Sequence, residues 1–267
     1  MRVVRPFGAL VWLALALALC FLTLPIVAIF AGTGPGELIA SLGEPGALDA
    51  LWLSVKATFA ALAVILVLGT PAAYVLATRS FRGRSAVITL VELPLVLPPA
   101  VAGIALLAAL GPRGLLGRWL DDAGVRLVFE TAGVIVALVF VAAPFFLSQA
   151  QAAFSAVDRT WLEASRTLGA GEARTFLSVM VPSARPGLLS GLALAWGRAL
   201  GEFGATLIFA GSLSGVTQTT PLAIYELFAT DLTAALALSA VLVAISGALL
   251  LSVKLVGRRA VPGFLPG

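Results

Sequence analysis

Histidine is absent from the 267 residues, and cysteine occurs once. The first absence removes the commonest metal ligand and the commonest general base near neutral pH. The second excludes an intrachain disulfide, and Cys20, set in an apolar run, reads as a small buried hydrophobe. Charge is scarce as well, at 11% of residues, against about 25% in ordinary soluble domains. The chain is 60% hydrophobic with a mean hydropathy of +1.08. A soluble fold would lack the polar exterior needed to cover that much apolar surface, so the chain belongs in a membrane. The net charge is +4, but the basic residues are too scattered to track a nucleic-acid backbone. There is also no G-x-x-x-x-G-K-[ST] loop, so the phosphate cradle of a P-loop ATPase is missing.

What is present is long apolar runs. A helix crossing a hydrocarbon core about 30 Å thick needs about 20 mostly apolar residues. Six segments qualify: 8–30, 53–78, 86–110, 131–151, 187–210 and 234–256. Leu- and Ala-rich runs of this length are helical, since an open strand leaves its backbone unsatisfied in lipid. The first run is too long for a cleaved leader, and Phe30 spoils the small-residue cleavage pattern, so it is expected to be a retained helix.

Arginine sets the expected orientation. Arg2 and Arg5 precede the first span, and Arg79, Arg82 and Arg84 join the second to the third. Arg159, Arg166, Arg174 and Arg185 join the fourth to the fifth, and Lys254, Arg258 and Arg259 end the chain. The remaining loops carry mostly acids: Glu37, Glu44, Asp49, Asp121, Asp122, Glu130, Glu226 and Asp231. The basic regions alternate along the chain and share one side, so both termini are expected in the cytoplasm.

The connection before the fifth span reads EASRTLGAGEARTFLSVMVP (163–182). Thr160 and Glu163 have the spacing of a capping box, which predicts a helix over 161–168. Gly169 suits the left-handed turn that closes such a helix. A second helix is expected from Glu172 to about Met180, with Pro182 as its stop. Phe154, Val157, Trp161, Ser165 and Leu168 fall on one stripe. That stripe either lies against its own bundle or the lipid, or is offered to a cytoplasmic partner.

Glu163-Ala164-Ser165, three residues, Gly169, nine residues and Val179-Met180-Val181-Pro182 resemble the E-A-A-x3-G-x9-I-x-L-P signature of ABC importer permeases. Ser165 departs from the second Ala, and Val179 and Val181 stand for Ile and Leu. LPLVLPPAVAG (93–103), GPRGLLGRWL (111–120), RALGEFGATLIFAG (198–211) and TQTTPLAIY (217–225) are similar to the molybdate-importer members of that family. Sulfate permeases are close relatives. The resemblance covers roughly residues 50–255 and leaves the first span peripheral.

It implies an all-α integral membrane protein, a six-helix transmembrane bundle of the type I (MetI-like) kind. Residues 1–52 are then an N-terminal helix and outer loop. Residues 53–256 form the core, with a coupling loop at 152–186, and 257–267 form a cytoplasmic tail. The resemblance implies an inner-membrane permease that moves an oxyanion, molybdate above all, by alternating access, with tungstate and sulfate or thiosulfate as alternatives. It works as a homodimer with a cytoplasmic ATPase dimer that holds ATP and Mg, and with an extracytoplasmic substrate-binding protein. The chain itself binds no cofactor and no nucleic acid and is not an enzyme. Glu163, Ala164, Ser165, Leu168, Gly169 and Pro182 are the expected ATPase-coupling residues, with Glu163 a cap rather than a catalyst.

Within the spans, Arg198 and Glu202 sit four apart and share a helix face. They read either as a structural ion pair or as a pair lining an oxyanion route, with Thr206 further along. Pro94, Pro98 and Pro99 predict a bend bordering that route, with Pro98 and Pro99 as gate candidates. Ala193, Gly197, Gly201 and Ala205 form a small-residue ladder, and Gly187, Gly191 and Ala195 form a second. They suit a tightly packed helix at the bundle centre or a dimer axis. The loop GSLSGVTQTT (211–220) reads as a flexible linker, or as hydroxyls and amides that meet an arriving anion. An intramembrane enzyme built on Asp121, Asp122, Glu202 and Ser212 lacks any base at a readable spacing. A secondary transporter is a third reading.

Overall fold

The computed structural model describes residues 6–43 and 46–259. Arg2, Arg5, Glu44 and tail residues 260–267, used in the charge argument and the domain division, lie outside the described residues. Among the described residues all regular structure is helical. The elements are α1 (Pro6–Ala31), α2 (Pro35–Leu42), α3 (Ala47–Thr78), α4 (Arg84–Val96), α5 (Pro99–Leu110), α6 (Gly117–Asp122) and α7 (Thr131–Ser155). They continue with α8 (Arg159–Thr167), α9 (Glu172–Thr175), a π-helical turn (Phe176–Met180), α10 (Val181–Leu200), α11 (Gly204–Ala210), α12 (Thr220–Thr230) and α13 (Leu232–Arg259).

Among the described residues, five helical stretches are long and apolar enough to cross a membrane: Phe7–Ala31, Ala47–Thr78, Thr131–Ser155, Glu172–Leu200 and Leu232–Val253. The expected third span is not one rod. It is α4 and α5, meeting at 119°, and it makes a sixth crossing if the bent pair is counted as one. Proline biases the residue before it toward extended backbone. Leu97 (φ −72°, ψ 131°) precedes Pro98, and Pro98 (ψ 138°) precedes Pro99, so two consecutive residues leave the helix. Pro94 lies inside α4 without ending it.

The expected fifth span is also revised at both ends. Its helical run starts at Glu172 and passes through the π-helical turn. Pro182 does not stop it, because a proline in the first turn of α10 lacks only an N–H that turn can spare. The helix then ends at Leu200, and α11 is a separate short helix after a break at 201–203.

α3, α7 and α10 form the centre. Leu138, Ala142, Phe146, Ala150 and Phe154 recur every four residues along α7 and are buried. They pack against Ala57, Ala61, Leu62 and Ile65 of α3 and Ala184, Ala195 and Ala199 of α10. The ladder of Gly187, Gly191 and Ala195 is what lets α10 approach α7. A β-carbon at Gly187 would lie 2.4 Å from Ala153 Cβ, and one at Gly191 would lie 2.9 Å from Gln149 Cβ. The other ladder does not form one packed face. Gly197 faces open space, Gly201 ends the helix, and Ala205 is buried on α11 instead. We expect Gly187→Val to destabilise the chain by about 1–3 kcal/mol through overpacking. Gly197→Ala should not destabilise it and should raise its thermal unfolding temperature slightly, since alanine is the better helix former and has room there; melting curves of the two variants check both.

α1 packs along α13 and is exposed over nearly its whole surface, so the first helix is peripheral. Cys20 is exposed there rather than buried, because among the described residues α13 is the main element packed against α1 and covers one side of it.

Candidate functional site: a capped hairpin and a double helix break

α8 and α9 form the expected hairpin. Its cap differs from the one the spacing suggested. Asp158 is the N-cap, and its Oδ1 accepts from the Thr160 amide at 2.9 Å, so the Thr160–Glu163 box is not made. A carboxylate one residue earlier than the helical turn outcompetes a hydroxyl inside it. Glu163 is exposed and makes no side-chain hydrogen bond among the described residues. The amide hydrogen bond from Thr160 holds the Asp158 carboxyl below its ordinary value. The cap is therefore complete above the ordinary carboxylate range and is lost as the pH falls through the lowered folded value. Protection of the α8 amides, measured as exchange relative to the unfolded chain at the same pH, should fall on acidification through the carboxylate range in the native chain, and Asp158→Asn should remove that pH dependence.

Gly169 closes α8 with φ +77°. The Gly169 amide donates to the Arg166 carbonyl (2.9 Å) and the Ala170 amide to the Ser165 carbonyl (3.0 Å), which together make a Schellman motif. The proposed stripe divides. Phe154 is buried in the core, Val157 is half-buried against it, as is Leu162 off the stripe, and Ser165 turns inward to share a hydrogen bond with Thr175 at 2.9 Å. Trp161, Ala164 and Leu168 face outward, with Trp161 56% and Leu168 87% exposed.

Sequence reasoning missed how the hairpin is tied to α3. Arg79, the residue that ends α3, pairs with Glu172, the first residue of α9. The Tyr74 hydroxyl donates weakly to the same carboxylate at 3.4 Å. The partners lie 93 residues apart, and no local pattern signals the contact. A cavity of about 610 Å³ opens beside them, walled in part by Arg79, Arg159, Arg166, Glu163 and Glu172.

The intramembrane candidates meet at the two helix breaks. A β-carbon at Gly204, the start of α11, would lie 2.8 Å from Pro99 Cβ, so the Pro98–Pro99 bend sits on the 201–203 break. Gly103 of α5 is equally close to α11, its hypothetical β-carbon falling 2.8 Å from Ile208 Cβ. Arg198 and Glu202 do pair, with Nη2 to Oε2 at 2.5 Å. The other oxygen, Glu202 Oε1, accepts from the Ala205 amide at 2.7 Å. Glu202 is fully buried and thus serves the chain's own geometry, whereas the Arg198 side chain stays 27% exposed. Thr206 is buried and donates to the Phe203 carbonyl at 2.8 Å, so its hydroxyl is committed to closing a turn rather than facing a pathway.

The 211–220 loop is an ordered strap rather than a flexible linker. Thr217, Gln218, Thr219 and Thr220 are buried. Thr217 Oγ1 accepts from the Leu213 amide, and the Thr220 amide and hydroxyl both reach Ser54 Oγ of α3, at 2.7 and 3.0 Å. Among the described residues no cluster of three metal-ligating side chains occurs.

The family described as "Binding-protein-dependent transport system inner membrane component" matches residues 65–262. The chain is 41% identical over 243 residues to the molybdenum transport system permease protein of Mycobacterium tuberculosis, covering 91% of this chain and 92% of that one. The chain belongs to this family of ABC importer permeases. It is a membrane component and not an enzyme; the ATPase of such importers is a separate chain. A sulfate transport system permease of Synechocystis is 33% identical over 80% of this chain and 78% of its own length. A solved bacterial alginate ABC transporter, crystallised with a periplasmic protein that holds an alginate pentasaccharide, shares the fold. Its TM-score is 0.76 at 16% identity, over 95% of this chain and 94% of that one. The observed architecture is the all-α, MetI-like permease bundle expected from the sequence.

Proposed function

We propose that this chain is the membrane subunit of an importer that carries molybdate into the cytoplasm by alternating access. It acts as a homodimer, driven by a cytoplasmic ATPase dimer that holds ATP and Mg and fed by an external binding protein. The observation that carries this reading is the hairpin: a capped, glycine-closed helix that offers Trp161, Ala164 and Leu168 to an unfilled partner. Ser165, Gly169 and Pro182 act there as tie, turn and helix-start residues, and Glu163 stands on the exposed side of α8. The higher identity to a molybdenum permease than to a sulfate permease favours molybdate.

Residues 53–256 are the transporting core with the coupling segment 152–186, residues 47–52 extend it as the first turns of α3, and α1 is an addition at its edge. The hairpin faces the cytoplasm, as do both termini. Supporting this, Arg79 meets Glu172 at one end of the bundle, so the basic α3–α4 and α7–α10 connections share a side. The open face of Gly197 and Gly201 suits a close approach by the second protomer. Arg198, half-freed beside it, gives a passing oxyanion a forked donor without a tight trap.

A cysteine placed at Leu168 in a Cys20→Ser background tests the orientation and the docking together. It should cross-link to the ATPase subunit and react with impermeant thiol reagents only from the cytoplasmic side. Labelling from the outer side alone would overturn the proposal.

A further inference from the structure

We infer that α3 is the rod that carries hairpin motion across the bundle, and that Arg79, Glu172 and Tyr74 are the joint at its inner end. The inference rests on the coupling role proposed above and names the bundle-side residues that receive the stroke. α8 and α9 are linked to each other by the Ser165–Thr175 hydroxyl pair, so they move together. A rigid hairpin can reach the bundle through its two covalent ends or through a side contact. Leu162 supplies an apolar side contact, and the polar one is Glu172, gripped by Arg79 and touched by Tyr74. Its apolar half is a ring cluster: Tyr74 lies 4.8 Å from Phe176 and 6.0 Å from Phe154, centroid to centroid. Phe176 opens the π-helical turn, the least regular piece of backbone in the run 172–200 and the natural place for it to yield.

The far end of α3 is anchored too. Ser54 takes both donors of Thr220 from the strap, and Ala47, Ala50 and Leu51 pack with α12 and α13. At about 1.5 Å per residue, the 32 residues of α3 make one element about 48 Å long, held by the hairpin at one end and by the strap at the other. The Arg79–Glu172 pair is 58% exposed on both sides, so it contributes little static stability. Its position, not its strength, is what the structure uses. A coupling role and a stabilising role therefore give different readouts.

The test uses the complete importer in proteoliposomes, with molybdate imported per ATP hydrolysed as the readout and melting temperature as the control. Arg79→Glu and Glu172→Arg should each lower the import ratio roughly fivefold or more. The double exchange should restore it to within about twofold, with melting unchanged throughout. Tyr74→Phe, which removes only the hydroxyl, should lower the ratio by less than either charge reversal. A working importer whose ratio ignores both single exchanges overturns the joint, as does a double exchange that restores nothing. So does a melting change that accounts for the lost transport. An unaltered importer that hydrolyses ATP without moving the anion overturns the proposed function itself, and with it the joint.

Discussion

Glutamate at both Trp161 and Leu168 should abolish ATP-driven uptake while the chain still reaches the membrane and melts normally. Neither side chain is used by its own bundle: they are 56% and 87% exposed on a helix whose other face is taken by Leu162 and Ser165. Removing them costs the isolated chain almost nothing. In a docked complex they are the anchors: a buried aromatic anchor such as Trp161 is worth at least about 2 kcal/mol, and Leu168 adds apolar contact beside it. At 1.4 kcal/mol per decade, losing two and burying two charges weakens docking by at least about a hundredfold. Co-purification of the ATPase and initial uptake rates check this together. Normal uptake by the double variant would remove the hairpin from the mechanism.

Glu202→Leu should be the most damaging single change inside the membrane. The carboxylate is fully buried and has two duties, satisfying the Ala205 amide and neutralising Arg198. Leucine strands a charge and a donor where water is scarce. Breaking a buried pair in this way costs about 3–5 kcal/mol, and a loss of that size lowers the melting temperature by roughly 10 °C. Glu202→Gln keeps an acceptor for Ala205 and should lose less. Arg198→Leu with Glu202→Leu should recover much of the stability but not transport, which separates the structural duty of Glu202 from the anion contact of Arg198. Thermal unfolding in detergent, followed by tryptophan fluorescence, gives the first quantity. Uptake gives the second.

The long spans were legible because the hydrocarbon core demands about 20 apolar residues in a row, and few other folds use such runs. The Leu97–Pro98–Pro99 break was legible as a bend, since each proline constrains the residue before it. Its size was not, because α11, about a hundred residues away in sequence, packs Gly204 onto Pro99 and Ile208 onto Gly103. Gly169 was readable from its chemistry, while the cap was misplaced by two residues because Asp158 and Thr160 are both good cap residues and only the folded backbone chooses between them. The two small-residue ladders have the same spacing, yet one packs on α7 and the other faces open space. Spacing says that a face is flat; it does not say what lies against it. The Arg79–Glu172 contact had no local signature at all.

The central claim is that this bundle moves an oxyanion only when a separate ATPase works on its hairpin. Uptake of labelled molybdate into proteoliposomes holding this chain, the ATPase and the binding protein tests it most directly. The account predicts uptake that requires ATP and all three components and that stops when Trp161 and Leu168 are replaced by glutamate. Uptake by the purified chain alone, driven by an ion gradient and indifferent to ATP, would contradict it.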